Sequence, residues 1–330
     1  ALGITSVIPD MDPTKPALVD PKKIIDTITD LEVTSMFASP ALLNRVGKYG
    51  KNKRIKLSSL KRVISAGAPV APSNIKQFSS MLDKSAEIQT PYGATEAVPI
   101  ISIGSDEILH ETKDLSEKGY GNCVGYPINN IQIRIIKVSD NPIEKWSDDL
   151  VVKDGEMGEI TVKGDLVSRQ YFEKPAADMM AKIKQGNEIW HRMGDLGWRD
   201  KKGRIWFCGR KSHRVITNEI TLFTIPCEAI FNEHPKVFRS ALIGVGPQKN
   251  KKPVICIELI DGDNKINKKD LTSELLEIAR QNEMTKNIKT VLYHKSFPVD
   301  IRHNSKIFRE KLAIWAEKKL RVRTKINSQF

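Results

Sequence analysis

Short apolar runs of strand length, separated by turns, dominate the first part of the chain. Runs over residues 33–38, 62–65, 86–90, 98–103 and 131–138 read as strands. The pattern predicts helices over 24–31, after a proline- and aspartate-rich loop over 9–21, and over 74–81, between two of the strands. Strands alternating with helices call for packed α/β layers. The texture then turns β-rich. Residues 158–162 form a strand candidate, and 196–199 with 204–208 read as a hairpin around Asp200-Lys201-Lys202-Gly203, where glycine suits the tight position.

Past Gly209 the pattern changes again. A helix is expected to start near Pro226, followed by strands over 240–245 and 254–259. Leu271, Leu275 and Ile278 share one face of a helix over 269–281, and Phe308, Leu312 and Trp315 share a face of another over 305–320. This makes a compact α+β unit of about 110–120 residues, long enough for a domain. The expected division is therefore a core domain over 1–209 with α/β layers and a β-rich subdomain, a hinge over 210–212 around Ser212, and a small α+β domain over 213–330.

Composition narrows the picture by exclusion. With 40% hydrophobic and 28% charged residues among 330, wholesale disorder is not expected. The apolar stretch over 97–103 is too short to cross a bilayer, and no basic-then-apolar leader opens the chain, so a cytoplasmic location is expected. The chain starts at Ala1, in what reads as the middle of a fold. Four dispersed cysteines without a CxxC pair, and six histidines without an HExxH pattern, predict no protein-built transition-metal site. The net charge of +13 is concentrated at the C-terminal end, where residues 302–330 carry nine Lys/Arg against two Asp/Glu. Such an end suits a solvated face or a peripheral contact with an anionic membrane. With no RNA-recognition or helix-turn-helix pattern and few aromatics, nucleic acid is not an expected partner.

Candidate chemistry sits in a series of turn motifs. In Thr90-Pro91-Tyr92-Gly93-Ala94-Thr95-Glu96 an aromatic face, a hydroxyl and a carboxylate follow within a few residues. That set suits a nucleotide: a ring for the base, an alcohol for phosphate, an acid for Mg²⁺. Upstream, Ser65-Ala66-Gly67-Ala68-Pro69 offers small residues that let a ligand approach the backbone. Downstream come Gly121-Asn122-Cys123-Val124-Gly125-Tyr126-Pro127, the glycine-bounded run from Gly158 to Gly164, and Arg192-Met193-Gly194-Asp195-Leu196-Gly197. An aspartate placed as Asp195 is can accept both hydroxyls of a ribose. Gly209-Arg210 supplies a rigid cation at the expected boundary, and Asn304-Ser305-Lys306-Ile307 a lysine where a loop enters the last helix.

In this order the motifs resemble the adenylate-forming superfamily of acyl-CoA synthetases, luciferases and peptide-synthetase adenylation domains. The resemblance runs from about Leu60 to Leu312 and implies the adenylate-forming fold, with ATP, AMP and Mg²⁺ as ligands. It implies that Tyr92 stacks on adenine, that Gly67, Ala68 and Gly93 line its pocket, and that Thr95 touches phosphate. Glu96 would hold Mg²⁺, Asp195 and Arg210 the ribose, and Lys306 would stabilise the departing pyrophosphate.

Two departures refine the reading. The family's Ser/Thr/Gly-rich phosphate loop ending in Pro-Lys-Gly occurs nowhere in these residues. In the family it precedes the region seen here, so the chain is expected to be the C-terminal three-fifths of an enzyme and to adenylate poorly alone. Secondly, CoA ligases carry an acid at the hinge, where this chain has Ser212, which argues against a CoA site. The runs 209–215, 225–229 and 299–312 resemble the β-lactone synthetases of bacterial long-chain olefin biosynthesis. That resemblance implies a long-chain carboxylic or β-hydroxy acid substrate and association with other enzymes of that pathway. His213 and His303 are second-step candidates by position alone. A long-chain fatty acyl-CoA ligase and a non-catalytic nucleotide- or lipid-binding remnant are the alternatives.

Overall fold

The computed structural model describes residues 3–248, 250–260, 266–300 and 307–327, with side chains to Arg321. Its first layer is a parallel sheet, β1 (Ser35–Ala38), β2 (Arg62–Ser65) and β3 (Glu87–Gln89), in that spatial order. Helices precede and connect these strands: α1 (Pro21–Asp30), α2 (Pro40–Lys53) and α3 (Pro72–Ser79). Each begins with proline in its first turn, where the missing N–H costs nothing. Asp20 caps α1 through the Lys22 amide and Ser39 caps α2 through that of Leu42. Ile24, Ile28, Leu43, Val46, Ile75 and Phe78 point from the helices onto Val63 and Ile88 of the sheet. The opposite face of the sheet leaves Phe37 and Ile64, register partners on β1 and β2, exposed.

The second layer is an eight-stranded antiparallel sheet. It comprises β4 (Tyr92–Ala94), β5 (Ala97–Ser102), β6 (Asn122–Pro127), β7 (Ile131–Ile136), β8 (Gly158–Gly164), β9 (Lys182–Gln185), β10 (Glu188–Arg199) and β11 (Ile205–Arg210). The spatial order is β4-β5-β6-β11-β10-β8-β7, with β9 paired to β10. A short helix, α4 (Pro175–Ala181), precedes β9, and an irregular helical stretch over 105–120 joins β5 to β6.

After β11 come a two-stranded ribbon, β12 (Val215–Ile216) with β13 (Thr221–Leu222), and helix α5 (Thr224–Asn232). The C-terminal sheet contains β14 (Val237–Val245), β15 (Lys252–Leu259) and β16 (Val291–Tyr293), flanked by α6 (Lys268–Arg280) and α7 (Arg309–Asn327). Leu271 and Leu275 of α6 are buried on one side of this sheet, and Leu312 and Ala316 of α7 on the other. Glu228 of α5 is buried too, held by both Arg309 nitrogens of α7 at 2.5 and 2.9 Å. Among the described residues, the core clusters of this region contain nothing before Val215, and those of the first two layers nothing after Ile205.

Candidate functional site

The turn at Thr95-Glu96 is the two-residue tip of the β4–β5 hairpin, in which Ala94 pairs with Ala97. Gly93 is needed for that hairpin to close, since a Cβ there would lie 2.6 Å from the Ala97 carbonyl oxygen and 3.0 Å from the Val98 Cα. Tyr92, one residue earlier, reaches across to β10: its hydroxyl donates to Asp195 Oδ2 at 2.5 Å, and its ring leans on Phe207 at 5.9 Å.

Asp195 and Arg210 are cross-strand partners on β10 and β11. Arg210 Nη1 lies 3.1 Å from Asp195 Oδ1 and donates to the Met193 carbonyl at 3.2 Å. The approach to Oδ1 lacks hydrogen-bond alignment, so this buried oxygen has no hydrogen-bond partner. Burial pushes the Asp195 carboxyl up, against the opposing pull of Arg210 and Tyr92. Burial and the neighbouring Asp195 push the Tyr92 hydroxyl well up, which keeps it a donor. Gly194, at φ +66° with open space where a Cβ would be, forms part of the irregularity in β10 that precedes this pair.

Beside the pair opens a cleft of about 320 Å³, lined among others by Glu96, Tyr171, His191, Gly194, Arg210 and Lys211. Glu96 Oε1 accepts from the Tyr171 hydroxyl at 2.7 Å, and its backbone carbonyl accepts from the Ser168 amide at 2.8 Å. Burial raises the Glu96 carboxyl, but the Tyr171 bond, the residue's own amide and Lys182 outweigh it and hold the group below its usual range. Tyr171 itself is pushed up to about 12 by burial and by Glu96. His191 is buried, with Nδ1 3.2 Å from the Ala181 carbonyl, and burial followed by Lys182 brings it down to about 4, so its imidazole is neutral.

The far wall is charged and buried. Glu159 and Arg192, each 1% exposed, pair at 2.7 Å, and Lys211 Nζ reaches Glu159 Oε1 at 3.0 Å. Arg192 also donates to the carbonyls of Asn141, Met180 and Ser139. Arg214 pairs with Asp140 on the same loop. Ser212 lies in the single turn Lys211–His213 that follows β11, and His213 Nε2 is 3.2 Å from Glu310.

Of the expected residues, Glu96 and Arg210 line the cleft; Asp195 and Tyr92 stand behind Arg210, linked by the ion pair and the Tyr92 hydrogen bond, Gly93 supports the hairpin, and Thr95 is exposed at its tip. Gly67 and Ala68 do not line the cleft. They follow β2 at the carboxyl edge of the parallel sheet, next to the segment leading from β3 to Tyr92, the edge at which open α/β sheets take their ligands. Lys306 and His303 lie outside the described residues, as does the start of the helix expected over 305–320. Sequence reading assigned no role to Tyr171, Lys182, His191, Glu159 or Arg192. Glu159 and Arg192 stood inside quoted motifs, while Tyr171 and Lys182 carry no local signal. A wider groove of about 510 Å³ along α2, lined by Arg45, Lys48 and Tyr49 among others, contains none of the motif residues.

The family model described as AMP-binding enzyme matches residues 1–172. The chain belongs to that family. It is 45% identical over 321 residues to an olefin beta-lactone synthetase of Xanthomonas campestris, covering 96% of this chain and 57% of that protein. A second olefin beta-lactone synthetase, from Stenotrophomonas maltophilia, is 43% identical over 98% of this chain and 58% of its own length. A 4-chlorobenzoate–CoA ligase from an Arthrobacter species is 26% identical over 78% of this chain. The chain therefore spans somewhat more than half the length of the two synthetases. Among solved structures, an amide bond synthetase from Marinactinospora thermotolerans superposes with a TM-score of 0.72 at 21% identity, over 90% of this chain and 55% of that one. An O-succinylbenzoate CoA synthetase from Bacillus subtilis, in complex with ATP and magnesium, gives 0.67 at 20% identity, over 89% and 54%. These likenesses show the adenylate-forming fold.

Proposed function

We propose that this chain carries the nucleotide-binding half of an enzyme that activates a long-chain β-hydroxy acid with ATP and closes it to a β-lactone. The observation that carries the nucleotide reading is the Asp195–Arg210 pair, in which buried Oδ1 lies 3.1 Å from the guanidinium yet accepts no aligned hydrogen bond. An acceptor paired in charge but without an aligned donor keeps hydrogen-bonding capacity for a ligand. A ribose brings two hydroxyl donors, and Arg210 holds the carboxylate in place for them. Tyr92, its hydroxyl committed to Asp195, presents its ring beside the sugar, where a base stacks.

Glu96 would hold Mg²⁺. No other residue donates to its Oε2 among the described residues, and no group of three or more His, Cys, Asp or Glu able to hold a metal occurs there. One open carboxylate oxygen suits an ion that keeps its waters and takes phosphate oxygens for the remainder. When bound, the ion would offset phosphate charge. In the first step the acid's carboxylate oxygen attacks the α-phosphorus and pyrophosphate leaves, with Lys306 assigned to the developing charge by the family resemblance. In the second, the substrate's β-hydroxyl oxygen attacks the acyl carbon, loses its proton and expels AMP. The 43–45% identity to olefin beta-lactone synthetases supports an internal acceptor over CoA, as does Ser212 at the hinge. Peripheral contact with an anionic membrane, and association with enzymes acting on the same long-chain substrates, belong to this reading too.

The test uses the protein in its full length, with ATP, Mg²⁺ and a long-chain β-hydroxy acid, with and without CoA. Mass spectrometry should find AMP and a β-lactone in both. A thioester forming only with CoA would overturn the lactone step, and absence of pyrophosphate release would return the reading to a binding remnant.

A further inference from the structure

A carboxylate at the tip of a two-residue hairpin normally samples several rotamers and offers both oxygens to whatever binds. Glu96 does neither. Its Oε1 is taken by the Tyr171 hydroxyl at 2.7 Å and its carbonyl by the Ser168 amide at 2.8 Å, so residues 168–171 grip it by side chain and backbone together. That grip has its own support. Lys182, only 7% exposed, donates to the Ser168 carbonyl at 2.5 Å and to Ser168 Oγ at 3.0 Å. Its ammonium also lies 5.2 Å over the Tyr171 ring. Among the described residues no carboxylate stands within ion-pair distance of Lys182. A buried cation that Glu96 and Asp178 help only through space, with its direct contacts all spent on one loop and one ring, is a costly arrangement whose return is the fixed position of that loop.

We propose that Tyr171, braced by Lys182, is a positioning residue that makes Glu96 a one-oxygen ligand and so selects Mg²⁺ over Ca²⁺. The inference rests on the reading of Glu96 as the metal-holding residue. Mg²⁺ demands octahedral geometry at about 2.0–2.1 Å and accepts a single carboxylate oxygen. Ca²⁺ takes 6–8 oxygens at about 2.3–2.6 Å and favours carboxylates that bind through both. With Oε1 engaged by a hydroxyl that would have to be displaced, the two-oxygen mode is closed. A phenylalanine at 171 keeps the ring beneath Lys182 and reopens that mode.

The experiment compares the full-length protein with Tyr171→Phe and Glu96→Gln. It measures binding of Mg·ATP and Ca·ATP by calorimetry and of Mn²⁺ by electron paramagnetic resonance, beside the metal dependence of pyrophosphate release. For Tyr171→Phe the Mg²⁺ concentration at half-saturation should rise roughly fivefold or more, and the preference for Mg²⁺ over Ca²⁺ should shrink by a similar factor. kcat at saturating metal should fall by less than threefold. A merely structural tyrosine would lower kcat and stability without moving the ratio of the two metals. If Glu96→Gln loses metal-dependent nucleotide binding while Tyr171→Phe keeps the wild-type preference, the clasp is refuted. If Glu96→Gln binds metal and nucleotide like the wild type, the reading of Glu96 falls first, and the inference with it.

Discussion

The Glu159→Gln substitution offers a measurable test of how the cleft wall is held. Glu159 serves two cations at once: Arg192 through Nη2 at 2.7 Å and Nε at 3.2 Å, and Lys211 at 3.0 Å. Glutamine keeps the shape and one acceptor oxygen, but it turns an NH₂ group towards a guanidinium or an ammonium and removes the negative charge that pairs with both. Taking one partner from a buried ion pair costs about 3–5 kcal/mol. Arg192 would retain the carbonyls of Ser139, Asn141 and Met180, which places the cost near the lower end, at about 3 kcal/mol. With a urea dependence of roughly 3 kcal/mol per molar, the unfolding midpoint should fall by about 1 M. The reporter is built in, since Trp190 of β10 stacks on Trp146 at 4.2 Å close to Arg192. In a Lys211→Met background the same substitution orphans one cation instead of two, and its cost should drop by about 1 kcal/mol or more. A midpoint shift below about 0.3 M, or equal costs in the two backgrounds, would show that the network contributes little to stability.

Three shorter expectations follow from the same geometry. His191 titrates near 4 when folded and near 6.5 when unfolded, so the unfolded chain binds the extra proton between these values. Stability is therefore full above pH 6.5 and is lost as pH falls towards 4, by roughly 3 kcal/mol in all; His191→Phe should flatten that part of the pH–stability curve, and an unchanged curve would count against a buried neutral imidazole. Gly93→Ala forces a methyl against the Ala97 carbonyl, so it should cost about 1–3 kcal/mol in thermal unfolding and weaken nucleotide binding through Tyr92 and Glu96; a variant as stable as the parent would contradict the close approach. Asp195→Asn should weaken AMP binding roughly 10- to 100-fold by calorimetry, as expected for the loss of charge-assisted hydrogen bonds, and unaltered affinity would remove Asp195 from the ribose site.

Where alternation was clean the elements were legible. Arg62–Ser65 forms a strand over the same residues the pattern marks, because Val63 and Ser65 face inward and Arg62 and Ile64 outward. Helix α2 went unread, although Ser39-Pro40 is a sound start signal and Leu42, Leu43 and Val46 keep helical spacing. Gly47 and Gly50, with the lysines and asparagines between and around them, dilute the pattern, and its helical state rests on packing against α3. The cleft shows the same divide. Tyr92, Glu96, Asp195 and Arg210 stand in short motifs with recognisable chemistry. Tyr171 reaches Glu96 across 75 positions, and Glu159 reaches Arg192 across 33. Such pairings exist only once the sheet has assembled, so no local pattern announces them.

Around the crossing from β11 into the C-terminal region, three basic side chains pair with acids of very different exposure. Arg210 and Lys211 hold Asp195 and Glu159, acids that are 6% and 1% exposed, whereas Arg214 holds Asp140, which is 66% exposed. At physiological ionic strength charges are screened over about 8 Å of solvent, and buried pairs are screened far less. Arg210 is itself 48% exposed, so added salt weakens both the Arg210–Asp195 and the Arg214–Asp140 pairs and leaves Lys211–Glu159, 15% and 1% exposed, largely intact. Lys211–Glu159, which ties the turn after β11 to the cleft wall, is thus the contact here that answers to the contents of the cleft and not to the medium.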